Sequence, residues 1–266
     1  GTMGTLGTDG QGTDAASAVE ASVRSATHGM CKITGHLRDV CGWFNLLELS
    51  LNNCREVYGD IWDLAGLINL VTLDLDDTSI TGSLEYLANI TKLQFLSLRF
   101  CSDICGSTES LSKLKELREI RLTSCRMITG DLSDVAKLEK LTHLDLSFKE
   151  KVTGEVRTSD VLSLSDHTLE QRSIPVQSTT SGHIRRGSVV PMMKITGDLA
   201  ELASLKNLEE LALGHCKRLS GDMRSLRKLP KLKLLYLSGC TRVVAAMSET
   251  AVDNWEEARP DCKLYV

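Results

Sequence analysis

The stretch ITGDLAELASLKNLEELALGHC, residues 195–216, contains the pattern from which the fold can be predicted. Its opening tripeptide recurs along the chain with small changes, and successive copies lie 23 or 24 residues apart except for one interval of 43. The copies begin at Ile33, Val57, Ile80, Ile104, Ile128, Val152, Ile195 and Leu219, with a degenerate copy at Val243. A fixed period of this length indicates a repeat protein whose units stack on one another.

Each unit combines two apolar periods that predict two kinds of local structure. Leucines at every third position, such as Leu199, Leu202 and Leu205, predict a tight helical arc of 3₁₀ type. The next leucines alternate with other residues, as Leu211 and Leu213 do, and this period of two predicts a short strand. Neither half can bury its apolar side alone. We therefore expect a curved solenoid with a continuous core, parallel strands on the concave face and helical arcs on the convex face.

This pattern resembles the leucine-rich-repeat family, whose signature L-x-x-L-x-L-x-x-N/C is matched, with isoleucine as the second leucine in one copy, at residues 46–54, 93–101, 117–125, 208–216 and 232–240. The ITG-x-L unit is most similar to the plant-type subclass, with cysteine where that subclass usually has asparagine. The resemblance covers about residues 31–245. It implies an α/β fold, a right-handed leucine-rich-repeat solenoid, and a ligand surface on the concave strands.

Five of the nine cysteines fall in one column of the repeat, namely Cys54, Cys101, Cys125, Cys216 and Cys240. We expect a structural ladder in which these side chains point inward and offer S–H groups to backbone carbonyls. Thr78 and Lys149 occupy the same column. The other cysteines form no CxxC pair, so the sequence predicts no metal site, no cofactor and a reduced intracellular compartment, the cytoplasm, with an organelle as the alternative.

Composition and motifs narrow the function. Lys and Arg number 31 against 35 Asp and Glu, a net charge of −4, which does not favour nucleic acid as a partner. The sequence has no apolar run long enough for direct membrane insertion. It also lacks the phosphate-binding, metalloprotease and nucleophile motifs of common enzymes, so we expect no catalysis.

The residues between the strand leucines should face outward and bind the partner. The predicted partner-binding residues are Asp74, Asp76, Asp77, Phe95, Arg99, Phe100, Arg121, His143, Asp145, Phe148, His215 and Tyr236. Exposed rings beside arginines are typical of an interface hot spot. In the alternative, Phe100 and Phe148 pack against the next turn. The three aspartates either form a solvated face, steer a basic partner or hold a calcium ion.

The interval of 43 marks an irregular insertion at residues 155–194. Its last part, HIRRGSVVPMM, partly fits the repeat when read backward from Ile195, and it predicts a degraded strand that keeps the sheet continuous. A loop is the alternative. Ser188 in R-R-x-S is a candidate phosphosite. The glycosylation sequon Asn89-Ile90-Thr91 is discounted here, because it lies in a convex arc of a protein expected inside the cell.

The ends of a solenoid need covers. We expect residues 1–30 to be a flexible segment with a cap helix within 13–30, residues 31–245 to be the solenoid, and residues 246–266 to be a C-terminal cap that contains Trp255. The predicted function is a non-catalytic module that binds another protein through the concave face. The alternative is a structural or peripheral subunit of a larger assembly, which apolar side chains on the convex exterior would favour; the sequence places mostly Lys, Glu, Ser and Asp there.

Overall fold

The computed structural model describes residues 21–24, 33–148, 193–244 and 249–266. Strands are numbered in chain order. Within the described residues, the odd-numbered strands form one parallel sheet in sequence order: β1 (Ala21–Arg24), β3 (Leu46–Ser50), β5 (Thr72–Asp74), β7 (Phe95–Ser97), β9 (Glu119–Arg121), β11 (His143–Asp145), β13 (Glu210–Ala212), β15 (Leu234–Tyr236) and β17 (Lys263–Tyr265). One strand per repeat therefore contributes to this nine-stranded sheet.

The ITG segments form further parallel pairings. In the described part of the chain, β2 (Gly35–His36), β4 (Val57–Asp60), β6 (Ser79–Ser83), β8 (Ile104–Ser107), β10 (Met127–Asp131) and β12 (Lys194–Thr196) make a second sheet, and β14 (Gly221–Asp222) pairs with β16 (Val243–Val244). Each repeat thus contributes one short strand to the nine-stranded sheet and a second short strand to these further pairings. A turn of helix connects the two.

The helical arcs begin directly after the ITG segments. They are the 3₁₀ helices Leu37–Val40, Ile61–Leu64, Leu84–Leu87, Thr108–Lys113, Leu199–Ser204 and Met223–Lys228, and the α-helical turn α1 (Leu132–Val135). The residue after each ITG glycine is the N-cap; the Asp60 carboxylate, for example, accepts a hydrogen bond from the backbone N–H of Trp62 at 2.8 Å. Outside these repeats, α2 (Glu249–Ala258) lies near the C-terminus.

The glycine of the tripeptide is required by both conformation and space. Gly82 has φ +108°, which disfavours residues with a side chain, and a Cβ atom there would overlap the Asp60 carboxylate that caps the preceding helix. The leucines of both apolar periods form a single core, and Leu199, Leu202, Leu205, Leu211 and Leu213 are all fully buried. The predicted leucine-rich-repeat architecture is confirmed.

On the two sides of the long interval, the described strands pair directly with one another. Strand β11 pairs directly with β13, with Leu144 opposite Leu211, and β12 pairs with β10, with Ile195 opposite Gly130. Residues 183–192 of HIRRGSVVPMM lie outside the described residues, so the strand expected there stays a prediction; β13 takes the hydrogen bonds along that edge of β11. The Val152 copy, Lys149 and Ser188 lie outside the described residues.

The two ends extend the sheet. Residues 21–24 form β1, with Val23 opposite Leu49, so at these positions a strand replaces the expected cap helix. At the other end Trp255 of α2 is fully buried, and β17 pairs with β15. The Arg259 guanidinium donates to the carbonyls of Leu229 and Leu232, both at 2.8 Å, and ties this end to the last repeat. No helix in the described residues is long and apolar enough to cross a bilayer.

Candidate partner-binding face

Two columns of side chains alternate with the buried leucines on the outer side of the nine-stranded sheet, and we call the surface that they form the strand face. The first column contains Glu48, Thr72, Phe95, Glu119, His143, Glu210, Leu234 and Lys263. The second contains Ser50, Asp74, Ser97, Arg121, Asp145, Ala212, Tyr236 and Tyr265.

Over the early strands, polar side chains of adjacent repeats bond to one another in what we call the acidic network: Ser50, Asn52, Asp74, Asp76, Ser97 and Arg99. One Asp76 oxygen accepts from the Ser97 hydroxyl at 2.5 Å and from the Arg99 backbone N–H at 2.7 Å. Asp74 accepts from Ser50 at 3.3 Å and from Asn52 at 3.2 Å. These carboxylates are occupied by donors of the protein itself.

Burial sets the charge of this network. Burial, followed by the nearby charge of Asp74, raises the pKa of Asp76 to about 7. The hydrogen bond from the Ser97 hydroxyl, the charge of the Arg99 guanidinium and the hydrogen bond from the Arg99 backbone N–H oppose this shift. The Arg99 guanidinium lies 3.9 Å from Asp76. Arg99 is itself buried and is poorly placed to meet a partner, contrary to the prediction for this residue, whereas Asp76 is partly exposed.

The three aspartates were expected to form a solvated face, to steer a basic partner or to hold a calcium ion, and in the structure each of them already bonds to other groups of the protein. Asp77 forms an ion pair with Arg55 at 2.6 Å, and Asp74 and Asp76 bond within the network. No group of three or more His, Cys, Asp or Glu side chains in the described residues is arranged to hold a metal ion. Asp145 has the same role as Asp74: it accepts from Thr123 at 2.6 Å and from the Ser147 backbone N–H at 2.8 Å.

The middle of the strand face brings three predicted residues together. The Arg121 guanidinium lies 5.4 Å from the centre of the Phe95 ring and forms an ion pair with Glu119 at 3.0 Å. The two ring nitrogens of His143 lie 3.8 Å from carboxylate oxygens of Glu119 and Glu210. All of these side chains are partly exposed, so this stretch combines an aromatic ring with charges of both signs.

Phe100 and Phe148, which occupy the same position in two repeats just before the cysteine column, differ in exposure. Phe100 is 42% exposed and adopts φ +63°, and the Arg99 guanidinium lies 5.7 Å from the centre of its ring. Phe148 is only 3% exposed, and burial of its ring stabilises it in that position. The predicted exposed pair is therefore wrong for Phe148, and the packed alternative applies to it.

The last strands carry an aromatic end formed by Leu234, Tyr236 and Tyr265. The two tyrosine rings lie 6.2 Å apart between centres, and all three side chains are partly exposed. A Cβ atom on Gly214 would overlap the Tyr236 ring, so the glycine allows that ring to lie against the backbone. Sequence reasoning found Tyr236 but missed Leu234 and Tyr265. The similarity of residues 263–265, KLY, to residues 234–236, LLY, was the available signal.

His215 lies in the turn beyond the strand face. It is exposed, adopts φ +59°, and its ring lies against Gly239, where a Cβ atom would collide with it. Among the described residues, no hydrogen bond or ion pair joins the His215 side chain to the group of Phe95, Arg121 and His143 or to the aromatic end.

Beneath this face, the cysteine column binds one repeat to the next. The Sγ atoms of Cys101, Cys125, Cys216 and Cys240 lie 2.9 to 3.2 Å from the carbonyl oxygens of Leu75, Leu98, Leu146 and Leu213, each in the preceding repeat. Burial raises the pKa of Cys101 and of Cys240 to about 11 and that of Cys125 and Cys216 well above the ordinary value. These thiols remain protonated donors.

Cys54 departs from this pattern because it is disulfide-bonded. The seven other cysteines in the described residues are free thiols. The expected ladder of reduced cysteines thus does not extend to its first member. In the neighbouring repeat Thr78 takes the column, and its hydroxyl donates to the Leu75 carbonyl at 2.7 Å.

The helical side of the first repeats carries apolar side chains that the sequence reasoning did not expect. Phe44, Trp62 and Ile68 are 61%, 60% and 54% exposed. Phe44 and Ile68 occupy the same position in adjacent repeats, where later repeats have Lys115, Glu139 and Lys206. The sequence prediction placed mostly polar side chains on the helical arcs, and it therefore did not include this patch.

No protein-family model matches the chain, and no curated protein matches it. Solved structures do. A leucine-rich-repeat protein of Leptospira interrogans has 17% identity and a TM-score of 0.57, and the match covers 92% of this chain and 48% of that one. The chain thus spans about half the length of that protein.

Two further solved structures share less of the geometry. The leucine-rich-repeat ectodomain of the receptor kinase GASSHO1/SCHENGEN3 from Arabidopsis thaliana, in complex with CASPARIAN STRIP INTEGRITY FACTOR 2, has 19% identity and a TM-score of 0.44, with 78% of this chain and 26% of that one covered. Internalin C2 of Listeria monocytogenes has 22% identity and a TM-score of 0.32, with 45% and 62% covered.

The repeat geometry and the Leptospira structure together define the class: this chain has the leucine-rich-repeat fold. The comparisons indicate no enzyme family.

Proposed function

We propose that this protein is a non-catalytic interaction module that binds a protein or peptide partner through the strand face. The observation that carries the proposal is the row of partly exposed aromatic and charged side chains from Phe95 and Arg121 through His143 to the aromatic end. Core packing does not require these side chains, because the leucines between them already fill the interior.

Two parts of the strand face suit different components of a partner. Leu234, Tyr236 and Tyr265 provide apolar area with two hydroxyl groups, which suits an apolar or aromatic anchor. Arg121, Glu119 and His143 lie on β9 and β11, on the other side of β13, and provide charges that would orient a polar chain. The acidic network, whose carboxylates are already satisfied, supports this surface and is not expected to contribute contacts.

A second candidate function is supported by a different observation. The exposed rings of Phe44 and Trp62 with Ile68 would be covered if the helical side of the first repeats packed against a neighbour in a larger assembly. This corresponds to the structural-subunit alternative.

The two functions can be separated by photo-crosslinking. We would place a photoreactive amino acid at Thr72 on the strand face or at Glu85 on the helical side of the full chain and identify captured proteins in native extract. A partner captured from Thr72 and lost when Phe95→Ala and Arg121→Ala are combined would support the strand face. Capture from Glu85 alone, with sensitivity to Trp62→Ala, would instead support the subunit function.

Stability has to be controlled in the same experiment. Because Phe95 and Arg121 are partly exposed, we expect each alanine substitution to lower the free energy of unfolding by less than about 1 kcal/mol. Urea unfolding of each variant would verify this. A loss of several kcal/mol would mean that the lost capture reflects unfolding, and it would remove the support for the strand face.

A further inference from the structure

The sequon Asn89-Ile90-Thr91 lies at a position that the fold keeps open. Asn89 is in the turn that follows the 3₁₀ helix Leu84–Leu87, and both it and Thr91 are exposed, whereas the Ile90 side chain is fully buried. Within the described residues, neither the Asn89 amide nor the Thr91 hydroxyl takes part in a hydrogen bond, so folding does not use these two groups.

The repeat shows that this openness is systematic. The residues equivalent to Asn89 are Gly42, Gly66, Lys113, Lys137, Ser204 and Lys228, and all are exposed. A Cβ atom added to Gly42 would meet nothing within 4 Å, and one added to Gly66 would meet only the Phe44 ring at 3.7 Å. A side chain in this column therefore points into solvent, with room for a large attached group.

A second, independent observation concerns the redox environment. Cys54 is disulfide-bonded, and an oxidising compartment favours the persistence of disulfides. The thiols of the cysteine column tolerate such conditions, because burial raises their pKa values and suppresses the reactive thiolate. Cys41 is exposed and free, and we expect an oxidising compartment to cap or cross-link it.

From these observations we propose that Asn89 carries an N-linked glycan and that the protein passes through an oxidising secretory compartment, in place of the reduced one expected from the sequence. The donor would be a lipid-linked oligosaccharide diphosphate. Asn89 Nδ2 forms a bond to the anomeric carbon, the bond from that carbon to the diphosphate oxygen breaks, and the amide loses one proton to a base of the transferase. The lipid diphosphate leaves.

The fold indicates when transfer takes place and what the glycan leaves open. Since Ile90 is buried in the folded repeat, the extended tripeptide is accessible only before folding, so transfer would occur on the nascent chain. Afterwards the glycan would project from the turns of the helical arcs. Those turns contribute no residue to the strand face, which would stay available to a partner.

The direct test uses the full chain, with a secretory leader, expressed in eukaryotic cells. We expect a mass increase that peptide N-glycosidase removes, leaving aspartate at position 89. The increase should be lost in Asn89→Gln and in Thr91→Ala but kept in Thr91→Ser, which retains the hydroxyl. Secreted, folded protein with an unmodified Asn89 would overturn the proposal, and so would a mass increase that persists in Asn89→Gln.

A matched variant tests the structural argument itself. Gly66→Asn combined with Ile68→Thr creates the same sequon one repeat earlier, in the same two exposed columns. We expect a second glycan of similar occupancy, whereas failure at residue 66 would contradict the equivalence of the columns. In the organism's own cells, the gel mobility of the endogenous protein should increase after glycosidase treatment. Unchanged mobility there would overturn the proposed compartment.

Discussion

The acidic network and the aromatic end lie on the same sheet and above the same column of cysteines, yet their side chains have opposite relations to solvent. In the acidic network each carboxylate accepts hydrogen bonds from neighbouring repeats, and Arg99 is buried beside Asp76. In the aromatic end Leu234, Tyr236 and Tyr265 remain partly exposed. A repeated backbone can therefore use equivalent positions for bonds between repeats in one region and leave them partly exposed in another.

The largest expected effect is the pH dependence of the acidic network. The pKa of Asp76 is raised to about 7 in the folded protein, above its value in the unfolded chain. The folded state therefore holds this proton more tightly, so the stabilisation is complete below about pH 4 and is lost as the pH rises through 7. Replacement by asparagine, which is always uncharged, should remove this loss.

Urea unfolding of the wild type and of Asp76→Asn at pH 4, 6 and 8 would measure the loss of stability that comes from Asp76. We expect the stability of the variant relative to the wild type to rise by roughly 4 kcal/mol between pH 4 and pH 8. Parallel pH curves for the two proteins would contradict the raised pKa. Both proteins share every other titratable group, so their difference reports Asp76 together with its interaction with Asp74.

A smaller effect is expected when the acceptor itself is removed. Asp76→Ala leaves the Ser97 hydroxyl and the Arg99 backbone N–H without their acceptor, and at pH 5 we expect a loss of roughly 2 kcal/mol in the free energy of unfolding. Asp76→Asn is the matched control, because its side-chain oxygen can still accept both bonds. Equal losses in the two variants would mean that the hydrogen bonds do not hold this region together.

The cysteine column should contribute equally to the free energy of unfolding beneath the acidic network and beneath the aromatic end. Cys101→Ala lies under the acidic network and Cys240→Ala lies near the aromatic end, and each removes an S–H bond of 3.0 Å to a carbonyl of the preceding repeat. We expect each variant to lose about 1 kcal/mol in chemical denaturation. A difference between them much larger than this value would show that the two regions do not rest on equivalent cores.

The smallest expected effect on stability is at Gly214. An added methyl group would displace the flexible Tyr236 ring, and we expect a cost of about 1 kcal/mol or less, together with loss of partner capture at the strand face. Calorimetry of Gly214→Ala would measure the stability. Gly66→Ala, where a Cβ atom fits, is the control. Full capture by Gly214→Ala would exclude the aromatic end from the binding site.

The features that the sequence predicts are those that depend on one repeat at a time. Periods of three and two identify the helical arcs, the strands and the buried leucines, because each side chain's direction follows from its position within the unit. The polar residue after each ITG glycine identifies a helix N-cap by similar local reasoning, as at Asp60 and Asp131.

The features that escaped prediction depend on contacts between repeats. Asp76 appears exposed when its own strand is considered alone, and only donors from the next repeat bury and occupy it. Phe148 shares a column with Phe100, yet one ring is buried and the other is exposed. Tyr265 belongs to β17, which follows the α-helix α2 and not a leucine-rich arc like those of the repeats. The repeat pattern therefore did not include it.

The direct pairing of β11 with β13 has a consequence for how this protein can change during evolution. The described residues stop at Phe148, whose N–H bonds to the Gly214 carbonyl at 2.8 Å, and start again at Met193, which is buried. Closure entropy grows only with the logarithm of loop length, so each doubling of an insert at such a junction costs about 0.6 kcal/mol. This junction is therefore a place where new sequence can be acquired, lengthened or deleted while the inherited hydrogen-bond register on both sides is preserved.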